Sequence, residues 1–131
     1  MNFKEELYDQ VRMRKERRQP IPLRKLPEGT LEVMAQGSNE PPIHTVYFTP
    51  LTVLEMQKVK TLSQGDETSF GTWLVIEKIE DGDGAKIFSA EDKPILESSD
   101  WSLVNEINKR ILKLIPPVAE VKKTSEKTPS S

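Results

Sequence analysis

The side chains best suited to chemistry in this sequence are a run of carboxylates, one histidine and a run of basic residues. The carboxylates lie in Glu80-Asp81-Gly82-Asp83-Gly84. An EF-hand calcium loop that begins at Asp81 needs an oxygen ligand at its fifth position and glycine at its sixth. Those positions hold Ala85 and Lys86. Because Asp-Gly pairs are typical of tight turns, we expect a solvated turn here and no metal site.

His44 is the only histidine of the chain, and the chain has no cysteine. A lone imidazole acts as a general base only beside a nucleophile or an orienting acid, and no serine or threonine stands in a nucleophile-elbow pattern. Without thiols, neither a disulfide framework nor a thiolate zinc site can form. The sequence therefore predicts no catalytic, cofactor-binding or metal-ligating residues, and we expect a protein that is not an enzyme.

The basic run is Arg12-Met13-Arg14-Lys15-Glu16-Arg17-Arg18. Such a run could contact the phosphates of a nucleic acid, and a small nucleic-acid-associated regulator is therefore the alternative function. Against it, the whole chain is acidic, with a formal net charge of -2, and no aromatic stacking platform is interleaved. A solvated helix face is the other interpretation of this run.

The charges are distributed unevenly along the chain. Residues 1–25 hold eight basic and four acidic side chains, whereas residues 26–116 hold eight basic and fifteen acidic ones. A basic arm on an acidic body favours self-association or a charged partner over a uniformly solvated surface.

Length and composition suit one domain: the chain has 131 residues, of which 35% are hydrophobic and 31% charged. No apolar run approaches the roughly 20 residues of a membrane-spanning helix, so we expect a soluble, cytoplasmic protein. Ten prolines limit the regular structure.

In the N-terminal half, helix formers predict a helix over 3–18. Its thin apolar stripe of Phe3, Leu7 and Val11 makes it marginal alone, so it needs something to pack against. Prolines end the helix and predict a loop over most of 19–42. β-Branched and aromatic residues predict short strands at 30–34 and 44–49, which could pair as a hairpin.

In the C-terminal half, the Thr52-x-x-Glu55 capping box predicts a helix over about 50–62. Residues 68–80 are apolar on most sides, and their length favours a helix over a strand. A turn at 81–84, a short extended piece at 86–88 and one helical turn limited by Pro94 follow. Ser98 or Ser99 then caps the last helix. The side chains expected to face the core are Leu51, Leu54, Val59, Leu62, Phe70, Trp73, Leu74, Ile76, Val104, Ile107, Ile111, Leu114 and Ile115.

These elements predict an α+β fold that is mostly α. It comprises a basic N-terminal helix at 1–18, a proline-rich loop at 19–42, a helical core at 43–115 and a disordered tail at 116–131, with a hairpin-like β element near 31–49.

Several segments of 43–115 follow one another in a recurrent order. They are Leu51-Thr52-Val53-Leu54-Glu55-Met56, Trp73-Leu74-Val75, the acidic turn with the Ile87-Phe88-Ser89-Ala90-Glu91-Asp92 that follows it, and Val104-Asn105-Glu106-Ile107. This order resembles the tail assembly chaperones of long-tailed, non-contractile bacteriophages. The resemblance covers a little over half of the chain.

The resemblance implies a virion-assembly factor of the host cytoplasm, absent from the mature particle. Such a chaperone binds the tape measure protein, keeps it soluble and helps recruit tail tube subunits, as a head-to-tail or spiral homo-oligomer. The family often makes a longer form by ribosomal frameshifting, for which the Lys122-Lys123 codons are the candidate slippery run. Binding would use helix faces and the C-terminal tail. The candidate partner-binding residues there are Val118, Val121, Lys122 and Lys123.

Overall fold

The sheet is built around a strand that contains two prolines. The computed structural model describes residues 2–113. Strand β1 (Gln19–Lys25) lies between β2 (Leu31–Val33) and β3 (His44–Phe48), and both pairings are antiparallel. The strands predicted near 31 and 44 are therefore confirmed. The predicted loop is wrong over 19–25, and the predicted hairpin is wrong because both strands pair with β1 and not with each other.

Pro20 and Pro22 fit into β1 because backbone groups of alternate residues point to opposite edges of a strand. The carbonyl of Pro22 accepts the N–H of Met34 at 2.9 Å, so the even-numbered positions of β1 face β2. An N–H group at residue 20 or 22 would point to the edge of β2, so its absence leaves the ladder to β3 intact. On the other edge, β2 pairs only with residues 23–25 and does not reach the prolines. Meanwhile Ile21 is completely buried, so the strand contributes to the core.

The helices of the described chain other than the first share one core with this small sheet, and the predicted α+β, mostly α fold class is confirmed. The helices are α1 (Phe3–Arg12), α2 (Val53–Ser63), α3 (Glu67–Lys78), α4 (Lys93–Glu97) and α5 (Trp101–Ile111), with 3-10 turns at Arg14–Arg17 and Ala90–Asp92. None of the helices in residues 2–113 is long and apolar enough to cross a membrane. The single helix predicted over 3–18 is wrong after Arg12, because α1 ends there and the chain continues as the 3-10 turn at Arg14–Arg17.

Helix α2 begins with the predicted capping box. The Thr52 hydroxyl accepts the N–H of Glu55 at 3.1 Å, and the Glu55 carboxylate accepts the N–H of Thr52 at 3.0 Å. The predicted inward face is only partly right, since Val59 is buried but Leu54 is 76% exposed. The inward face runs through Glu55, Val59 and Ser63, each one turn from the next.

Helix α3 packs between α2 and α5. This explains its apolar character on most sides and confirms the helix predicted for 68–80. Leu74 and Ile76 are buried, and Phe70 and Trp73 pack against the edge of the same core. The buried core is formed by Ile21, Leu23, Phe48, Val59, Leu74, Val75, Ile76, Ile79, Leu96, Ile107 and Ile111.

Two predictions about the chain before α5 are wrong. Pro94 does not limit the helical turn, because it lies in the first turn of α4, where no N–H is needed for the helix. Ser98 and Ser99 do not cap α5: their hydroxyls donate back to the carbonyls of Pro94 and Ile95, and the N-cap position belongs to Asp100. The predicted core positions Leu114 and Ile115, and the tail 116–131, lie outside the described residues.

Leu74 and Leu54 offer a matched test of this packing. Leu74→Ala removes a fully buried side chain and should lower the free energy of unfolding by about 2–5 kcal/mol. Leu54→Ala truncates an exposed side chain of α2 and should change it by less than about 0.5 kcal/mol. Urea denaturation followed by circular dichroism measures both, and equal losses would contradict the observed orientation of α2.

Candidate functional site

The carboxylates and the histidine singled out in the sequence belong to different elements of the fold. Asp81 forms the predicted turn, and its Oδ1 accepts the N–H groups of Asp83 at 2.8 Å and Ala85 at 3.0 Å. These bonds, with the one from Ala85 foremost, lower the pKa of Asp81 below its ordinary value. His44 is exposed at the start of β3. Residues 2–113 contain no group of three or more His, Asp or Glu side chains that could hold a metal ion.

The basic run is divided by contacts with the rest of the protein. Arg12 pairs with Asp9 of α1. Arg14 donates to Glu55 and to the carbonyl of Pro50. Arg18 donates to the carbonyl of Gly82, and its guanidinium lies 4.5 Å from the ring centre of Tyr47. Three of the five cations are thus turned to partners within the chain.

A buried lysine lies at the centre of the most extensive polar cluster. Lys78, at the end of α3, is only 1% exposed. Its ammonium group donates to the Thr49 hydroxyl at 2.9 Å and to Glu55 Oε1 at 2.9 Å. The same oxygen accepts Arg14 at 2.5 Å and the N–H of Thr52. One carboxylate oxygen therefore joins the N-terminal arm, the start of α2 and the end of α3.

The electrostatics of this cluster follow from burial and pairing. Burial is the largest influence on Glu55 and favours its neutral form. The hydrogen bonds from Lys78 and Thr52 and the charges of Lys78 and Arg14 outweigh burial and hold the pKa of Glu55 below its ordinary value. For Lys78, burial dominates and lowers the pKa of the ammonium group, because pairing with Glu55 offsets it only in part.

Sequence reasoning missed this cluster, although a signal was present. Lys78 stands within a predicted core helix that is otherwise apolar, and a buried lysine requires a carboxylate. Which carboxylate it meets is not visible locally, since Glu55 lies 23 residues away. Lysine with a lowered pKa can act as a nucleophile, yet Lys78 is covered by protein on all sides. The cluster therefore holds elements together and does not form an open reaction site.

Helix α1 carries an exposed apolar surface. None of the α1 residues is buried. Phe3, Leu7 and Val11, the predicted stripe, are 78%, 44% and 65% exposed, and Tyr8 beside them is 54% exposed. An amphipathic helix of ten residues has little stability of its own, and none of these four side chains belongs to the buried core. We name Phe3, Leu7, Tyr8 and Val11 the arm stripe.

No protein-family model, no curated protein and no solved structure matches this chain. The sequence-based partner residues Val118, Val121, Lys122 and Lys123 lie outside residues 2–113.

Removing Glu55 should destabilise the fold, because Lys78 would then be buried without a carboxylate. Glu55→Ala leaves the ammonium group without its carboxylate and should lower the free energy of unfolding by about 3–5 kcal/mol. Glu40→Ala, which removes a partner of Arg24 that is 62% exposed, should cost at most about 1 kcal/mol. Urea denaturation compares the two. A Glu55→Gln, Lys78→Met double variant should recover part of the loss, because it leaves no unpaired buried charge.

Stability should also depend on pH through Glu55. Its pKa is lower in the folded chain than in the unfolded chain, so the unfolded chain takes up protons first as the pH falls. The contribution of Glu55 is complete above its ordinary pKa of 4.5 and is lost as the pH falls through the folded value. The difference in unfolding free energy between the wild type and Glu55→Gln should therefore shrink between pH 5 and the acid limit of folding. A constant difference would refute this role.

Proposed function

We propose that this protein is an assembly chaperone of a long-tailed bacteriophage that binds the tape measure protein and keeps it soluble in the host cytoplasm. The observation that carries the proposal is the arm stripe on α1. An apolar helix face that is exposed to solvent and contributes nothing to the core suits a protein whose work is binding. The order of segments over 43–115 that resembles tail assembly chaperones supplies the class of partner.

The arm stripe suits a helical partner. An amphipathic helix binds by laying its apolar residues against a hydrophobic groove or a second helix, with anchors spaced three or four residues apart. Phe3, Leu7 and Val11 have this spacing. A tape measure protein, which the resemblance implies is long and helical, offers such surfaces along its length.

The size of the arm stripe suits reversible binding. Only a few side chains of α1 are available, and they bury less area than the roughly 1,200 Å² at which stable interfaces begin. Binding must also order α1, which is marginal alone, and this weakens each contact. Many weak contacts along one tape measure chain would keep it soluble and still release it when the tail tube subunits assemble.

The surroundings of the basic run support this proposal over the nucleic-acid alternative. Phosphate binding needs cations free on one surface, yet Arg12, Arg14 and Arg18 are directed to partners within the chain.

A band-shift assay at low salt checks the point: we expect no shift with duplex or single-stranded DNA or RNA.

A pair of serine substitutions tests the proposal. Leu7→Ser places a hydroxyl in the centre of the arm stripe, whereas Glu5→Ser changes a residue on the opposite side of the same helix. The assay is light scattering of the tape measure protein from the same phage genome, diluted from denaturant with and without the chaperone. We expect the wild type and Glu5→Ser to suppress aggregation and Leu7→Ser to lose most of this effect.

Circular dichroism of the variants controls for the fold, which neither substitution should alter because both residues lie outside the core. The proposal fails if the wild type neither suppresses aggregation nor co-purifies with the tape measure protein. Equal activity of the two variants would instead remove the arm stripe from the binding surface.

A further inference from the structure

A groove lies between the outer edge of β2 and one face of α5. It has a volume of about 520 Å³, within the roughly 300–1,000 Å³ typical of ligand sites. Val33 of β2 and Met34 after it line one wall. Leu103, Glu106 and Arg110 line the other, and their spacing of three and four positions places them on one face of α5. Arg110 donates to the carbonyl of Met34 at 2.6 Å and so joins the two walls. We name this space the edge groove.

The edge of β2 along the groove carries unused main-chain groups. Glu32 and Val33 point to opposite faces of the sheet and both line the groove, which therefore follows the outer edge of the strand. The N–H of Met34 donates to the carbonyl of Pro22 at 2.9 Å, so the even-numbered positions of β2 face β1. The N–H and C=O groups of Leu31 and Val33 point to the outer edge. Strand β2 is outermost in the sheet, and no hydrogen bond of residues 2–113 uses these groups. Such an edge can pair with an added strand.

One cation of the edge groove has no carboxylate partner in the described chain. Glu32 is paired with Arg24 at 2.5 Å, and Glu106 is paired with Lys109 at 3.2 Å. Arg110 forms no ion pair within residues 2–113, although it is partly buried. Burial lowers the pKa of Arg110, and the charge of Glu106 offsets this effect only in part. The edge groove therefore offers an unpaired guanidinium to an anion, and a carboxylate matches its geometry.

The length of the edge groove suits a short extended segment. Leu103 and Arg110 are seven residues apart, which corresponds to about 10 Å along α5 at 1.5 Å per residue. Three residues of an extended chain cover the same length at about 3.3 Å each. Alternate side chains of such a segment face α5. An acidic side chain can thus reach Arg110 while an aliphatic side chain two positions away contacts Leu103.

We propose that the edge groove binds an extended segment of a partner protein, which adds to β2 as a fourth strand and places an acidic side chain against Arg110. Main-chain hydrogen bonds to Leu31 and Val33 supply affinity. The ion pair with Arg110 and the contact with Leu103 supply selectivity. The site shares no residue with the arm stripe, and its binding does not depend on the proposed chaperone function.

Selection from a display library of random octapeptides on the immobilised full chain tests the site. Enriched sequences should carry Asp or Glu two positions from Val, Ile or Leu. By fluorescence anisotropy, an enriched peptide should bind Arg110→Gln at least about tenfold more weakly than the wild type, because its carboxylate loses the cation. Lys60→Gln removes an exposed lysine of α2 and is the matched control, which should bind like the wild type.

A reversed charge pair separates the loss of the cation from a loss of folding. Arg110→Glu should reject the enriched peptide and bind a version in which lysine replaces the acidic residue. Circular dichroism shows whether both Arg110 variants fold. If a folded Arg110→Glu binds neither peptide, or binds both equally, the ion pair is wrong.

Single N-methyl groups along the enriched peptide test strand addition without any change in the protein. Affinity should fall where the methyl group replaces an N–H that faces β2, and should stay unchanged at the alternate positions. Replacing the acidic residue of the peptide by its amide tests the ion pair in the same way. These two measurements decide the proposal even where the Arg110 variants do not fold.

Several results would overturn the proposal. They are a library that enriches no acidic peptide, equal binding by the wild type and a folded Arg110→Gln, and equal affinity of all the N-methylated peptides. The last result would mean that the carboxylate binds without an added strand. If no peptide is enriched and the full chain dimerises unless Val33→Pro removes the outward N–H, the edge belongs to a second copy and the proposal is wrong.

Discussion

A buried ammonium group constrains most of this structure. Lys78 cannot remain charged in the interior without a carboxylate, and Glu55 supplies it from the first turn of α2. Because Glu55 must point inward, α2 is rotated so that Leu54 faces solvent. Arg14 shares the same carboxylate oxygen and thereby fixes the base of the N-terminal arm. One ion cluster thus sets the rotation of a helix and the attachment of the arm.

This attachment lies between α1, which contributes no buried residue, and the part of the chain that forms the core. Arg14 donates hydrogen bonds to Glu55 and to the carbonyl of Pro50, and Arg18 donates to the carbonyl of Gly82. The residues before them make no comparable contacts, and α1 contributes nothing to the core. The basic run therefore joins α1 to the body, and part of its charge is paired within the chain.

The arm stripe is the surface on which the proposed function depends. It is apolar, and a helical partner could bind it through contacts that need not be specific in sequence. Since no residue of α1 is buried, the stripe stands apart from the packing of the core.

The sequence by itself determined the elements whose causes are local. The capping box at Thr52 and Glu55, the turn at Asp81–Gly84 and the apolar helix over 67–78 each depend on residues within a few positions of one another, and all three were predicted. Tertiary structure decided the role of β1, the inward turn of Glu55 and the exposure of the arm stripe. Pro20 and Pro22 by themselves predict a loop, and only the pairing of β1 with its neighbours shows that no N–H group is needed at these two positions. Periodicity likewise cannot reveal the buried ion pair of Lys78 and Glu55, whose residues are 23 positions apart. Strand pairing and the burial of charge depend on residues far apart in the chain, and only the folded arrangement brings them together.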